Sequence, residues 1–288
     1  MAGVEGRVVV VTGAGGGLGR SHALLFAQHG AKVVVNDLGG DRAGSGGGTS
    51  MADKVVAEIT QAGGEAVASY ESVADASGGQ GVIDTARDAF GGIDVVVNNA
   101  GILRDVSFQK MTEAQWDTVL RVHLYGTYNV THAAWPHMRE QGFGRVIVTT
   151  STSGLFGNFG QANYAAAKMG LVGLANTLAI EGAKYGITAN AVVPIAATRM
   201  TEDVLDPDVL ERLDPAYVSP LVVHLATEEC TDTGQVVLAG GGAYSRLALM
   251  QAPGKRFPDV PTVEELAASW DEVTDLEGAT LGHNPLDE

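Results

Sequence analysis

The sequence predicts an α/β chain built on one doubly wound parallel sheet. Three observations predict it. Short β-branched runs alternate with amphipathic stretches from residue 7 to residue 239. The first run ends in a glycine turn that opens a helix. No linker interrupts the alternation mid-chain, so a single domain is expected.

The elements follow in order. Residues 7–12 form a valine run bounded by glycine and read as a buried parallel strand. Thr12-Gly13-Ala14-Gly15-Gly16-Gly17-Leu18-Gly19 comes next, then an amphipathic segment over 20–30 and a second strand over 31–36 that ends at Asp37. Asp37 lies 18 residues after Gly19. Glycine lets the backbone turn tightly and approach a pyrophosphate, and the helix behind it offers free N–H groups. An acid at the end of the second strand suits the adenosine ribose hydroxyls and repels a 2′-phosphate, so NAD is expected over NADP. This combination makes the predicted sheet Rossmann-like. The glycine-rich residues 39–48 read as a flexible surface loop, since no strand leads into them.

A helix is expected over 51–62, and a third strand over 65–73 with Ser72 and Val73 at its carboxyl end. Another helix over 81–90 precedes a fourth strand over 93–97, which runs into Asn98-Asn99-Ala100-Gly101. One long helix is expected over 112–139, a fifth strand over 144–150 before Ser151, a helix over 161–185, a sixth strand over 187–193 and a seventh over 235–239. Residues 195–221 are proline-punctuated and follow a strand's carboxyl end, where such sheets bind ligands; they read as a substrate lid. The expected organisation is a domain over 1–245 including that lid, and a C-terminal arm over 246–288.

Composition narrows the partners. Hydrophobic residues make up 45% of the 288, enough for a sizeable core. A net charge of −16 argues against nucleic acid and anionic membrane surfaces. Cys230 is the single cysteine, so no disulfide within the chain and no cysteine metal site is possible, and the histidine spacing suggests no metal. No signal peptide, transmembrane stretch or C-terminal peroxisomal tripeptide is read, so a cytoplasmic setting is expected.

Tyr164 and Lys168 carry the expected chemistry. Four residues apart on an alanine-rich helix, they share a face. A free phenol has a pKa of about 10, and a nearby cation moves it towards the range of a general base.

Together these motifs resemble the short-chain dehydrogenase/reductase family. The Thr12-Gly13-x3-Gly17-x-Gly19 spacing, the Asn98 to Gly101 element, Ser151 at 13 residues before Tyr164, and Tyr164-x3-Lys168 occur in that family's order. The resemblance implies that Tyr164 takes the substrate hydroxyl proton and that Ser151 binds the reacting oxygen. It implies that Lys168 holds the nicotinamide ribose and tunes the phenol. It places Gly13, Gly17, Leu18, Gly19, Asp37, Ser72, Val73, Asn99, Ala100, Gly101 and Thr198 against the cofactor. Where the family usually has an Asn serving a proton relay, this chain has His123, which either bridges a water or is a satisfied structural histidine. Ile195 replaces the family's Gly after Pro194, and Ser72 its more frequent Asp.

A narrower similarity runs through residues 35–41, 100–105, 121–124, 133–138 and 157–164 to the dehydrogenase domain of peroxisomal multifunctional enzyme type 2, also called 17β-hydroxysteroid dehydrogenase type 4. In that subfamily His also occupies position 123. The similarity implies a stand-alone dehydrogenase that oxidises a (3R)-hydroxyacyl-CoA, with a 17β-hydroxysteroid or sterol side-chain-CoA as the alternative. It implies that the 246–288 arm serves a homodimer; tetramers occur in the wider family. Phe156 and Phe159 are the candidate substrate contacts. Arg104, Lys110 and Arg199 are the candidate cations for CoA.

Overall fold

Valine runs at 8–11, 33–35 and 95–97 fill three adjacent strands at the middle of the sheet. β-Branched side chains pack well on a pleated surface covered on both faces, and these strands are almost wholly buried. The computed structural model describes residues 3–41, 43–196 and 213–282.

The element order is β1 (Val8–Thr12), α1 (Gly17–Gln28), β2 (Lys32–Asn36), α2 (Ser50–Gln61), β3 (Glu65–Ser69), α3 (Ala76–Phe90), β4 (Val95–Asn98), α4 (Glu113–Leu120), a π-turn (Arg121–Tyr125), α5 (Gly126–Gln141), β5 (Gly144–Thr149), α6 (Thr152–Phe156), α7 (Ala162–Gly182), β6 (Ile187–Pro194), α8 (Ser219–Ala226), β7 (Val236–Gly240) and β8 (Ala243–Leu247). The sheet has eight strands in the order β3-β2-β1-β4-β5-β6-β7-β8. β3 through β7 pair in parallel. The chain order reverses between β1 and β4. In open α/β sheets such a reversal leaves a crevice at the carboxyl ends of the strands.

Alternation along the strands divides the core. Val9, Val11, Val33, Val35, Val95 and Val97 meet Ala23, Phe26, Val55 and Ile59 on one face. Val8, Val10, Val34, Val96, Val146 and Val148 meet Val82, Ile83, Val130, Met138 and Leu171 on the other. A period of two serves two layers of helices.

Three sequence expectations change. β3 stops at Ser69, so Ser72 and Val73 lie in the following loop. The helix expected over 112–139 is broken by the π-turn, a distortion that turns His123 into the interior. The glycine-rich residues around Asp41 form an organised turn: the Asp41 carboxylate accepts from the N–H groups of Ala43 at 2.9 Å and Ser45 at 2.8 Å.

Contacts divide the chain into two units, Met1–Ser245 and Arg246–Glu288. The second contains a two-stranded antiparallel pair, Met250–Gln251 with Thr280–Leu281, and two short helices, Val263–Ala268 and Trp270–Thr274. None of its described residues is buried. Among the described residues no helix is long and apolar enough to cross a membrane.

Candidate active site

A cavity of about 610 Å³ opens at the carboxyl ends of β1, β4, β5 and β6. Gly13, Leu18, Asp37, Ser72, Val73, Asn99, Ala100, Gly101, His123, Ser151, Tyr164 and Lys168 line it together. These residues span 156 positions of sequence and are gathered by the strand ends. Gly17 and Gly19 stand behind the lining and shape it. Gly17 has φ +51°, and a Cβ on Gly19 would fall 2.3 Å from the Gly13 carbonyl oxygen.

One end of the cavity is a backbone cradle. Thr12 Oγ1 accepts from the N–H groups of Asn99 and Ala100, both at 3.0 Å, and Asn99 Nδ2 donates to the carbonyls of Thr12 at 3.0 Å and Gly13 at 3.2 Å. The loops after β1 and β4 are thereby locked together. Helix α1 starts at Gly16 with no side-chain cap and no acid in its first turn. Its first N–H groups and positive dipole end are therefore available to an anion. Asp37 caps the neighbouring wall, accepting from Gly15 N at 2.8 Å and Gly39 N at 2.7 Å. A Cβ on Gly15 would lie 2.7 Å from that carboxylate, and one on Gly13 would lie 2.8 Å from Ala100 Cα. The close backbone approach, the uncapped helix and the acid at the end of β2 fit a nicotinamide dinucleotide.

The other end carries the titratable side chains. Ser151 caps the short helix α6, its Oγ accepting from Ser153 N at 3.2 Å, and it hydrogen-bonds the Tyr164 phenol. Tyr164 sits in the first turn of α7. Its N–H donates at 2.8 Å to Asn163 Oδ1, and Asn163 is fully buried, donating in turn to the carbonyls of Arg104 and Gln115. One turn on, Lys168 Nζ donates to the Thr149 carbonyl oxygen and lies 5.4 Å from the centre of the Tyr164 ring. Burial pushes the Lys168 ammonium down to about 7. Burial also pushes the Tyr164 phenol above its usual value; the Ser151 hydrogen bond opposes this, and Asp105 adds to it. Here the geometry departs from the expected tuning. Lys168 Nζ is held on the Thr149 carbonyl, and burial is the largest influence on the phenol.

His123 is 2% exposed, and its Nε2 lies 2.8 Å from the Ile102 carbonyl oxygen and 3.0 Å from the Ile102 nitrogen. A single ring nitrogen either donates to the one or accepts from the other. Nδ1 has no hydrogen-bond partner among the described residues. Burial, then the Lys168 charge, holds this imidazole down at about 3, so it is neutral at physiological pH.

Phe156 and Phe159 stay outside the lining, at 72% and 89% exposed. Asn158 and Gln161, from the same stretch, line the cavity instead. Thr198 and Arg199 lie outside the described residues, as do residues 197–212 of the 195–221 stretch read as a lid; Ile195, Ala196 and Leu213, from its described part, line the cavity. Sequence reasoning missed Asp41 and Gly44, which also line it, and Glu71 and Asp105. Asp41 follows Asp37 by four residues, and that proximity to a strand end was the available signal.

The family described as short chain dehydrogenase matches residues 7–208. A short-chain type dehydrogenase/reductase of Mycobacterium tuberculosis is 61% identical over 281 residues, covering 98% of both chains. The peroxisomal hydratase-dehydrogenase-epimerase of Saccharomyces cerevisiae is 53% identical over 272 residues, covering 93% of this chain and 30% of its own. The solved structure of full-length peroxisomal multifunctional enzyme type 2 from Drosophila melanogaster superposes with a TM-score of 0.83 at 43% identity, over 98% of this chain and 48% of that one. The chain thus spans less than half the length of these two multifunctional proteins. On the family match and these relatives, the chain belongs to the short-chain dehydrogenase family, oxidoreductases that act on a CH–OH group with a nicotinamide cofactor.

Proposed function

We propose that the chain oxidises the 3-hydroxyl of a (3R)-hydroxyacyl-CoA to the 3-oxoacyl-CoA, with NAD as the dinucleotide and Tyr164 as the base. The observation that carries the reading is the shared cavity: a backbone cradle closed by Asp37 at one end, and Ser151, Tyr164 and Lys168 at the other. When bound, the nicotinamide ring supplies the hydride acceptor. Tyr164 Oη takes the hydroxyl proton. Ser151 Oγ donates to the reacting oxygen and holds it within reach of the phenol. Lys168, one helical turn beyond Tyr164 and held by the Thr149 carbonyl, would bind the nicotinamide ribose. His123 holds Ile102 with Nε2 and offers Nδ1 to a water on the proton's way out.

Two supports select the substrate. The yeast relative's name joins a hydratase to a dehydrogenase, and hydration of an enoyl thioester makes the very hydroxyl that a dehydrogenase then oxidises to a ketone. The similarity along residues 157–164 points to the same subfamily. NAD is favoured over NADP because Asp37, Asp41 and Glu71 line the cavity, and a 2′-phosphate beside them would meet like charge.

The test is an assay of purified chain with NAD and either a (3R)-hydroxyacyl-CoA or estradiol. Turnover of the thioester supports the reading; turnover of the steroid alone contradicts it. The 246–288 arm serves a dimer in this account. Its described residues form no buried core, and Trp270, Leu249, Val260 and Val263 present exposed apolar surface. Light scattering that returns a monomer would remove this part.

A further inference from the structure

We propose that Arg104 is a positioning residue that clamps the adenosine-side wall of the cavity to the helix carrying Tyr164. The inference rests on reading that cavity as a dinucleotide site.

The segment after Gly101 is fastened on both sides. Towards the reacting end, Ile102 is held by His123 Nε2, the Arg104 carbonyl accepts from Asn163 Nδ2 at 3.3 Å, and Asp105 Oδ2 accepts from Gln161 Nε2 at 2.7 Å. Asn163 immediately precedes Tyr164 and binds its N–H. Towards the glycine-rich turn, Arg104 Nε donates to the Ala43 carbonyl oxygen at 3.1 Å. Next to it the buried Ile102 side chain packs beneath Gly44, where a Cβ would come within 3.1 Å of Ile102 Cγ2. Gly44 has φ +79°, and Asp41 organises the turn through Ala43 N and Ser45 N. Asp41, Gly44 and Ile102 all line the cavity.

Arg104 is thus a two-ended bridge. Its backbone is tied to the residue beside Tyr164, and its side chain is tied to the wall at Ala43. Glycines make that turn entropically costly to order, and the hydrogen bond from the Arg104 Nε–H to the Ala43 carbonyl offsets that cost. The consequence is preorganisation: the wall is in place before the dinucleotide arrives, so less ordering is left to the binding step. This assignment takes Arg104 away from the CoA phosphates, for which its charge alone had made it a candidate.

The experiment compares Arg104→Ala with Arg104→Gln in the full chain. Gln places its amide nitrogen at the position of Arg Nε along the side chain, so it retains the donor to Ala43 and removes the charge. NAD affinity is measured by calorimetry, amide exchange at 43–45 without nucleotide, and KM for each substrate by steady-state kinetics. Arg104→Ala is expected to weaken NAD about ten-fold and raise its KM likewise, with kcat changed less, and to speed exchange at 43–45 while the sheet amides stay protected. Arg104→Gln is expected to stay within about three-fold of the parent chain. Equal impairment of both variants would show that charge matters and would overturn the clamp. So would unchanged exchange and affinity in Arg104→Ala, or an effect confined to the acyl-CoA KM. Failure of the parent chain to bind NAD would instead fell the reading of the cavity, and the exchange comparison would still report on the clamp.

Discussion

His123 stands edge-on to Tyr164, with ring centres 5.2 Å apart and planes at 89°. The pairing puts a buried neutral imidazole against the phenol proposed as base, with Nδ1 lacking a partner among the described residues. His123→Ala is expected to cost about 2–4 kcal/mol of stability, through the lost ring volume and the released Ile102 backbone. If the ring also serves proton transfer, kcat falls about 100-fold with NAD affinity retained. Urea unfolding and single-turnover kinetics separate the two effects.

Asp37 sets the cofactor preference in this account. Asp37→Ala removes the acceptor for Gly15 N and Gly39 N and the charge facing a 2′-phosphate. The ratio of NADP to NAD efficiency is expected to rise about 10- to 100-fold, mostly by loss with NAD. Steady-state kinetics with both dinucleotides checks this.

Gly19→Ala tests the cradle. The added methyl would lie 2.3 Å from the Gly13 carbonyl oxygen and 2.6 Å from Asn99 Nδ2, so the loop must move. Overpacking of this kind typically costs about 1–3 kcal/mol. NAD binding is expected to fall below detection by calorimetry while the far-ultraviolet dichroism of the sheet and helices persists.

Two buried histidines predict acid sensitivity. Burial holds His22 and His123 at about 3 in the fold, against 6.5 when free. Between those values the unfolded chain binds the extra protons, so stability falls as pH drops from 6.5 towards 3. Each histidine contributes a slope of up to about 1.4 kcal/mol per pH unit. His22→Asn keeps a polar partner for the Ser219 hydroxyl, which lies 2.8 Å from Nδ1, and is expected to flatten that slope in denaturant titrations.

The pH profile of turnover has a sign as well. Burial raises the Tyr164 phenol, and a base must be deprotonated to act. The oxidation rate is therefore expected to rise with pH from neutral into the alkaline range, and the reverse reduction to fall.

Much of this was legible because it was local. Valine runs, glycine turns and the acid at position 37 mark strands, loop and strand end through short-range rules, while the strand order emerges only in the fold. What was not legible depends on tertiary contact. The π-turn at Arg121–Tyr125 has no breaker residue; a long helical pattern conceals it until His123 finds Ile102. Residues 39–48 looked like a slack loop because the side chain that fastens them, Arg104, is 61 positions from Ala43. Phe156 and Phe159, the candidate substrate contacts, are exposed on either side of Gly157, which sits at φ +78°. Spacing shows that Tyr164 and Lys168 share a helix face, but the burial of the phenol and the Thr149 carbonyl that holds Lys168 are invisible in one dimension.

The central claim is that Tyr164 is the base in a dinucleotide-dependent oxidation. Its most direct test is Tyr164→Phe, assayed for NAD binding by calorimetry and for NAD reduction with a (3R)-hydroxyacyl-CoA. The account predicts unchanged NAD affinity and a loss of turnover of at least about 100-fold. Turnover near that of the parent chain, with NAD still bound, would contradict it.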